Sequence, residues 1–312
     1  MRIVVALGGN ALLRRGEPLE AEFQRRNVDV AAMAIAGLAE EHEIIVTHGN
    51  GPQVGLLALQ AEAYPEVEPY PLDVLGAESQ GMIGYLLLEG LAHLLPSREV
   101  AGVLTRVVVD EDDPAFAHPT KPVGPHYSEK FASTLARERG WTVARDGSGW
   151  RRVVASPEPR DVLDLPVIRL LADAGVTVIC GGGGGIPLTG SGANRRGIEG
   201  VIDKDLTSVL IAFGLGADCL MFLTDVQGVA RGWGTEAQTF MDVATPGALR
   251  KLKFDKGSMG PKVEAACRFV EISGMTAAIG SLSEAKDVLA GTSGTRIVVT
   301  RQVKSAGRNR AA

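Results

Sequence analysis

Seven apolar runs punctuate the chain: RIVVAL (2–7), EIIVTH (43–48), GVLTRVVVD (102–110), VTVIC (176–180), DCLMFLTD (218–225), TAAIG (276–280) and TRIVVT (295–300). They are near-continuous rather than alternating, which suits strands of a parallel sheet covered on both faces. Between the first two, Val28, Ala31, Ile35 and Leu38 recur at helical spacing, and similar patterns follow most of the other runs. Strand–helix alternation of this kind predicts an α/β fold, a three-layer αβα sandwich around an open, mainly parallel sheet. Ligands of such sheets bind beyond the carboxyl ends of the strands.

The rhythm fails between residues 110 and 160. There PTKPVGP (119–125) is followed by WTVARDGSGWRRVV (141–154), two short strands around Gly147-Ser148-Gly149, and then SPEP (156–159). Stiffened by proline and rich in turns, this segment reads as an inserted, protruding lid subdomain on a single domain spanning residues 1–312.

Three of the apolar runs end in glycine. ALGGNALL (6–13) and THGNGPQVG (47–55) place glycine and asparagine between a strand and a helix, and TVICGGGGGIP (177–187) runs a strand into five glycines. Backbone N–H groups in such turns can point at an anion, helped by the positive end of the following helix. A tight turn between strand and helix also wants glycine, so neither of the first two is decisive alone. A linker is the bland reading of five glycines, but linkers are flanked by polar sequence, not by a buried-strand pattern. Three such turns on one sheet edge favour a cradle for phosphate or another anion. His48 stands at a strand end, where a structural role is commoner than a catalytic one.

Known nucleotide fingerprints fail. No GxxxxGK[ST] occurs, and neither GNGPQVG nor the glycine run fits GxGxxG. What remains are lysines in constrained settings. Lys121 lies between two prolines, Lys204 stands between Asp203 and Asp205 at an expected helix start, and Lys262 follows Gly260-Pro261 into an amphipathic helix. A helix start disfavours a cation, so Lys204 needs an anion beside it, either Asp205 or a phosphate.

Composition narrows the classes of partner. The 312 residues are 45% hydrophobic and 22% charged, with a net charge of −5, so a sizeable core is expected and disorder is not. An acidic balance recommends neither nucleic acid nor an anionic membrane, and no apolar run approaches the roughly 18 residues of a membrane span. The basic stretch RQVKSAGRNRAA (301–312) reads as a solvated tail. Three isolated cysteines, Cys180, Cys219 and Cys267, without metal-ligand spacing or an evident signal peptide, suggest a reducing, cytoplasmic setting.

The blocks VALGGNAL, HGNGPQVG, ESQGMIGY (78–85), TKPVGP, GWRRVV, CGGGGGIP, VIDKDL, LTDV and GSMGPK follow one another in a fixed order from about residue 2 to about residue 300. In this the chain resembles the carbamate kinases of the amino acid kinase superfamily. The resemblance implies an open αβα sandwich, a homodimer, and the reaction ADP + carbamoyl phosphate ⇌ ATP + carbamate with Mg2+. It puts Gly8, Gly9 and Asn10 near the transferred phosphoryl group and Gly49, Asn50 and Gly51 on the carbamate side. It matches Gly182, Gly183 and Gly184 to the third anion-binding turn. Lys204 and Lys262 match lysines that neutralise phosphate, Asp205 the carboxylate that holds them, and Lys121 a lid lysine that reaches carbamoyl phosphate. Thr224, Asp225, Val226, Gly257 and Met259 match nucleotide-side segments.

The chain departs from the pattern in having a fifth glycine in the run, Ala230 where an aromatic residue is common, Gln227 for an acidic residue, and Ser148 for an arginine. Phosphoryl transfer asks a protein mainly to position reactants and neutralise charge. Carbamate is already an oxyanion, so no obvious catalytic base is expected. Another amino acid kinase, acting on acetylglutamate, glutamate or a nucleoside monophosphate, should carry a lysine just before the first glycine pair, where Ala6-Leu7 stand. A sensor that binds a small ligand without turning it over has no need to keep all four of Lys121, Lys204, Asp205 and Lys262. A purely structural role leaves the glycine turns unexplained.

Overall fold

A computed structural model describes residues 1–299 apart from Arg15, Ser148 and Lys256, with Asn10 described in its backbone only. The basic C-terminal stretch, the last residue of the expected seventh strand and the departure at Ser148 lie outside the described residues.

The N-terminal part runs β1 (Arg2–Leu7), α1 (Gly9–Leu12), α2 (Ala21–Ala39), β2 (Glu43–His48), α3 (Gly51–Glu62), α4 (Leu72–Leu94), β3 (Val100–Gly102) and β4 (Arg106–Val109). Next come β5 (Lys121–Tyr127), α5 (Glu129–Arg139), β6 (Val143–Asp146), β7 (Gly149–Val154) and β8 (Pro159–Val162). Then α6 (Leu165–Asp173), β9 (Thr177–Cys180), β10 (Ile186–Thr189), β11 (Arg196–Gly197), α7 (Lys204–Leu215) and β12 (Cys219–Thr224) follow. The chain closes with β13 (Ala230–Arg231), β14 (Thr239–Phe240), β15 (Val243–Ala244), α8 (Pro246–Leu249), α9 (Met259–Ser273), β16 (Thr276–Ser281), α10 (Ala285–Ala290) and β17 (Thr295–Ile297).

The main sheet has the order β15-β17-β16-β12-β1-β2-β9-β3, parallel throughout except where β17 meets β16. Its strands are apolar on both faces because both are covered. Val4 and Ala6 of β1 pack with Ile168, Val209, Ile211 and Phe269 from α6, α7 and α9. Ile3, Val5 and Leu7 of the same strand pack with Val28, Ile35, Ile83, Leu87 and Val288 from α2, α4 and α10. Val28, Ala31, Ile35 and Leu38, the helical stripe of the sequence, are all buried.

One expected strand is wrong. GVLTRVVVD (102–110) is not a single strand of the main sheet: β3 ends at Gly102, and β4 belongs to a second sheet of order β11-β10-β4-β8. The break has a local cause. The Thr105 N–H donates to Gln80 Oε1 (2.9 Å), Gln80 Nε2 donates to the Thr105 carbonyl, and the Thr105 hydroxyl donates to the Val103 carbonyl. The Thr105 N–H is taken by a side chain from α4, while its carbonyl also accepts the Ile186 N–H (2.8 Å) and opens the pairing of β4 with β10, so the chain turns into another sheet.

The segment between β4 and β8 leaves and returns through that second sheet, where the two strands pair antiparallel. Beyond them β5, β7 and β6 make a three-stranded antiparallel sheet backed by α5, a helix not expected in a segment so rich in turns. Ser128 caps α5 and Gly140 ends it in the left-handed region. Aromatic contacts tie it together: Tyr127 meets the exposed Phe131 edge-on, and the guanidinium groups of Arg139 and Arg152 lie over the buried Trp141. This excursion rests on α3. A methyl on Gly55 would lie 2.0 Å from the Gly124 backbone, so the two segments touch main chain to main chain. Glu62 at the end of α3 takes Arg139 and Arg152. No helix among the described residues is long and apolar enough to cross a membrane.

Candidate active site

Strands β1, β2, β9 and β12 are neighbours and parallel, so the turns at their carboxyl ends share one edge. The ladder runs on into two of them, the Gly8 N–H donating to the Leu223 carbonyl (3.0 Å) and the Gly49 N–H to the Leu7 carbonyl (3.2 Å). Around Gly9 and Gly51 an added methyl would meet nothing within 4 Å, so both positions border open space. A methyl on Gly49 would lie 3.3 Å from the Gly9 nitrogen, which puts the first and second turns side by side.

The third turn is built differently from the expected open cradle. All five glycines from 181 to 185 are buried, and four of them have positive φ, at Gly181, Gly183, Gly184 and Gly185. The space a side chain would need is already filled by the protein. A methyl on Gly182 would collide with the His48 ring, one on Gly183 with the Asn50 amide, and one on Gly185 with Val107. The fifth glycine is therefore a packing requirement of this chain. The turn is tied on three sides: the Gly181 N–H donates to Thr105 Oγ1 (2.8 Å), Thr207 Oγ1 donates to the Gly184 carbonyl (2.7 Å), and the Gly184 and Gly185 amides donate back within the turn.

Asn50, assigned to the carbamate side by resemblance, turns its amide inward. Its Nδ2 donates to Ser79 Oγ (2.7 Å), and Ser79 in turn donates to the Gly76 carbonyl (2.8 Å). Asn50 thus locks the second turn to α4 and into the notch left by Gly183. His48 is also structural. It is fully enclosed, its Nδ1–H donates to the Gly49 carbonyl (3.1 Å), and burial pushes its pKa down to about 4. A ring held neutral and turned inward cannot serve as a base here.

The charged cluster sits at the head of α7. Asp203 caps the helix, its Oδ1 accepting the Asp205 N–H at 2.9 Å. Lys204 reverses onto Asp205 Oδ1, and Lys262, one turn into α9, donates to Asp205 Oδ2 at 3.3 Å. Burial alone would raise the Asp205 carboxyl, but Lys204 and Lys262 outweigh it and hold it well below the usual carboxylate range. Burial pulls Lys204 below the ordinary lysine value while Asp205 pushes back. The lysine stems pass the turns: a methyl on Gly49 would lie 3.7 Å from Lys204 Cδ, and one on Gly8 3.8 Å from Lys262 Cε. Lys121 joins from the excursion, its Nζ 2.6 Å from Asp203 Oδ2. Three ammonium groups therefore face two carboxylates, and the cluster carries a surplus positive charge beside the glycine turns.

These pairs differ in worth. Asp205 is 5% exposed with Lys204 at 10% and Lys262 at 12%, so stripping the carboxylate would strand two buried cations at a cost of about 3–5 kcal/mol. Lys121 and Asp203 are 37% and 17% exposed, and such a pair is worth roughly 0.2–1 kcal/mol. The first is a fixture; the second can exchange partners.

Among the residues matched by resemblance to nucleotide-side segments, Thr224 ends β12 beside Gly8 and donates to Asp225 Oδ1 (3.0 Å). Val226 is half-buried. The Gly257 N–H donates to Asp255 Oδ1 (2.8 Å), and Met259 begins α9, one turn before Lys262. Ala230 is buried and pairs with Phe240 across a two-stranded ribbon, so an aromatic ring stands opposite the position where the chain lacks one. Cys180, just before the glycines, is buried and its thiol is pushed up to about 12, which leaves no nucleophile at neutral pH.

Asp203, Ser79, Gln80, Thr105 and Thr207 hold this site together and were not among the expected site residues. The ESQGMIGY block carried a signal for two of them. Ser79 and Gln80 fall on the buried stripe of α4, with Leu72, Leu75, Ile83 and Leu87, and polar residues on a buried face need specific partners.

The chain matches the amino acid kinase family over residues 1–281. A carbamate kinase of Rhizobium meliloti (strain 1021) is 52% identical over 301 residues, 95% of this chain and 93% of that one. The carbamate kinase of Escherichia coli (strain K12) is 52% identical over 295 residues, 95% and 98% of the two chains. Among solved structures, the carbamate kinase from Giardia lamblia bound to AMP-PNP superposes with a TM-score of 0.86 at 38% identity, covering 96% of this chain and 98% of that one. Sequence and fold agree over almost the whole length, and the chain belongs to the amino acid kinase family and, within it, to the carbamate kinases.

Proposed function

We propose that the site transfers a phosphoryl group reversibly between carbamoyl phosphate and ADP, giving carbamate and ATP. The observation that carries this reading is the cluster itself: Lys204, Lys262 and Lys121 converge with three glycine turns on one sheet edge, held by Asp205 and Asp203. In the ATP-forming direction a β-phosphate oxygen of ADP attacks phosphorus, the bond from phosphorus to the carbamate oxygen breaks, and carbamate leaves with the electron pair. Neither side of the exchange needs a proton moved, so the inward-turned, neutral His48 costs nothing. Lys204 and Lys262 neutralise charge on the transferring group, and the amides around Gly9 and Gly51 border the space beside them. Thr224, Asp225, Val226, Gly257 and Met259 form the nucleotide side.

Magnesium enters with the nucleotide as part of the substrate. Both oxygens of Asp205 and both of Asp203 are already taken by lysines or a backbone amide, which suits an ion held by phosphate oxygens and water. The excursion over residues 110–160 acts as a lid, bringing Lys121 to the carbamoyl phosphate and excluding water from a labile product. A homodimer and a reducing, cytoplasmic setting belong to the same reading, the latter in keeping with three free, buried cysteines.

The test is substrate-resolved. Purified protein with Mg-ADP and carbamoyl phosphate is expected to form ATP well above the uncatalysed background. Mg-ATP with acetylglutamate, glutamate or a nucleoside monophosphate is expected to give no turnover. ATP consumption with one of those acceptors, and none formed from carbamoyl phosphate, would move the chain to a neighbouring kinase reading.

A further inference from the structure

We propose that Asp203 is a positioning carboxylate for Lys121, holding the lysine of the excursion at the head of α7 and releasing it to the phosphate of carbamoyl phosphate. This rests on the carbamate kinase reading and adds a residue that the reading does not require.

The two oxygens of Asp203 do separate jobs. Oδ1 accepts the Asp205 N–H and caps α7, fixing the carboxylate on the rigid body beside the cluster. Oδ2 accepts from Lys121 Nζ, 82 residues away in sequence and on the first residue of β5. Lys121 is thereby parked close enough to the cluster for its charge to be felt at Asp205. Exposure decides which pair exchanges. Asp205 and its lysines are enclosed, whereas Lys121 and Asp203 remain partly in water and screened, so their bond breaks readily. A phosphate offers more charge and more acceptor oxygens than one carboxylate, so the lysine passes downhill from Asp203 to the substrate. Proline on both sides of Lys121 limits how far it can stray meanwhile.

Asp203→Asn separates the two jobs, since asparagine caps a helix as well as aspartate and keeps an oxygen for the Asp205 amide while losing the charge that competes for Lys121. Carbamoyl phosphate affinity is measured by calorimetry on four proteins: wild type, D203N, K121A and the double variant. D203N is expected to bind about threefold or more tightly than wild type, and the double variant to match K121A within about twofold. Where K121A leaves no measurable binding, the double variant must leave none either. Unchanged or weaker binding by D203N overturns the proposal. So does tighter binding that persists in the K121A background, which would reduce Asp203 to a general field effect. Absence of ATP formation by the wild type would instead count against the carbamate kinase reading, so the two failures are distinct.

Discussion

His48 closes β2 with its imidazole enclosed between Gly49 and Gly182, and that placement sets a pH dependence. Its pKa is pushed from 6.5 to about 4 by burial, with Lys204 adding to the shift. The folded-state value lies below the unfolded one, so the unfolded chain binds the extra proton between them. Stability from the neutral ring is complete above about pH 6.5 and drains away as pH falls toward 4, by at most about 3 kcal/mol. Urea unfolding at pH 7, 6 and 5 should show stability falling in wild type, and His48→Gln should flatten this slope whatever its absolute stability. An unchanged slope in the variant would mean that the ring titrates freely and is not enclosed. Asn50 teaches the same lesson. The resemblance assigns it to the carbamate side, and its amide nitrogen donates to Ser79 while the side chain fills the notch of Gly183.

Among the elements, α4 links turns that lie far apart in sequence. Ser79 holds the second turn through Asn50, and Gln80 holds the third through Thr105. Gln80→Leu removes the partner of the Thr105 N–H, while the Thr105 carbonyl keeps the Ile186 N–H, and the orphaned buried amide costs about 1–3 kcal/mol. The turn then shifts, and misplacement by about 1 Å can cost on the order of a hundredfold in rate. Ile83→Val on the same buried stripe is the control, with a cost of about 1 kcal/mol and no polar partner lost. Denaturation and turnover measured together should show kcat falling at least about tenfold in Q80L and unchanged in I83V. Equal behaviour would make Gln80 ordinary packing.

The strands were legible because burial on both faces leaves an unbroken apolar run, and the glycine turns because few residues but glycine end a strand that way. Hydrophobic pattern could not show where 102–110 breaks, since the break is made by Gln80, distant in sequence, and not by the run itself. The second sheet was missed for a related reason: β10 and β11 are short and β8 contains Pro159, so none has a strong period of its own. Lys204, Asp205 and Lys262 were legible as a charge problem at a helix start. The partner of Lys121 was not, because Asp203 and Lys121 meet only through the folding back of the excursion.

At the scale of the whole molecule, the excursion reaches the body through main chain at Gly55 and Gly124 and through Lys121 at Asp203. Gly124 has φ of +72°, and Gly55 is helical but has no room for a methyl. Gly55→Ala therefore pushes the excursion off α3 without touching a charged group. On the lid reading this variant should raise KM for carbamoyl phosphate by roughly tenfold, a loss of about 1.4 kcal/mol, with ADP affinity by calorimetry nearly unchanged. Loss of ADP binding, with KM for carbamoyl phosphate intact, would show that the segment serves the nucleotide instead.

On the proposed reading, Asp205 holds two lysines at one phosphate site for a direct transfer. Carbamoyl phosphate labelled with ³²P is mixed with Mg-ADP and excess enzyme for a single turnover, using wild type and Asp205→Asn side by side in the cold, where the less stable variant stays folded. Label is predicted to pass into ATP in wild type, at a rate at least about a hundredfold greater than in the variant. Label appearing only as inorganic phosphate, or the variant transferring it as fast as wild type, would contradict a lysine–aspartate site built for phosphoryl transfer.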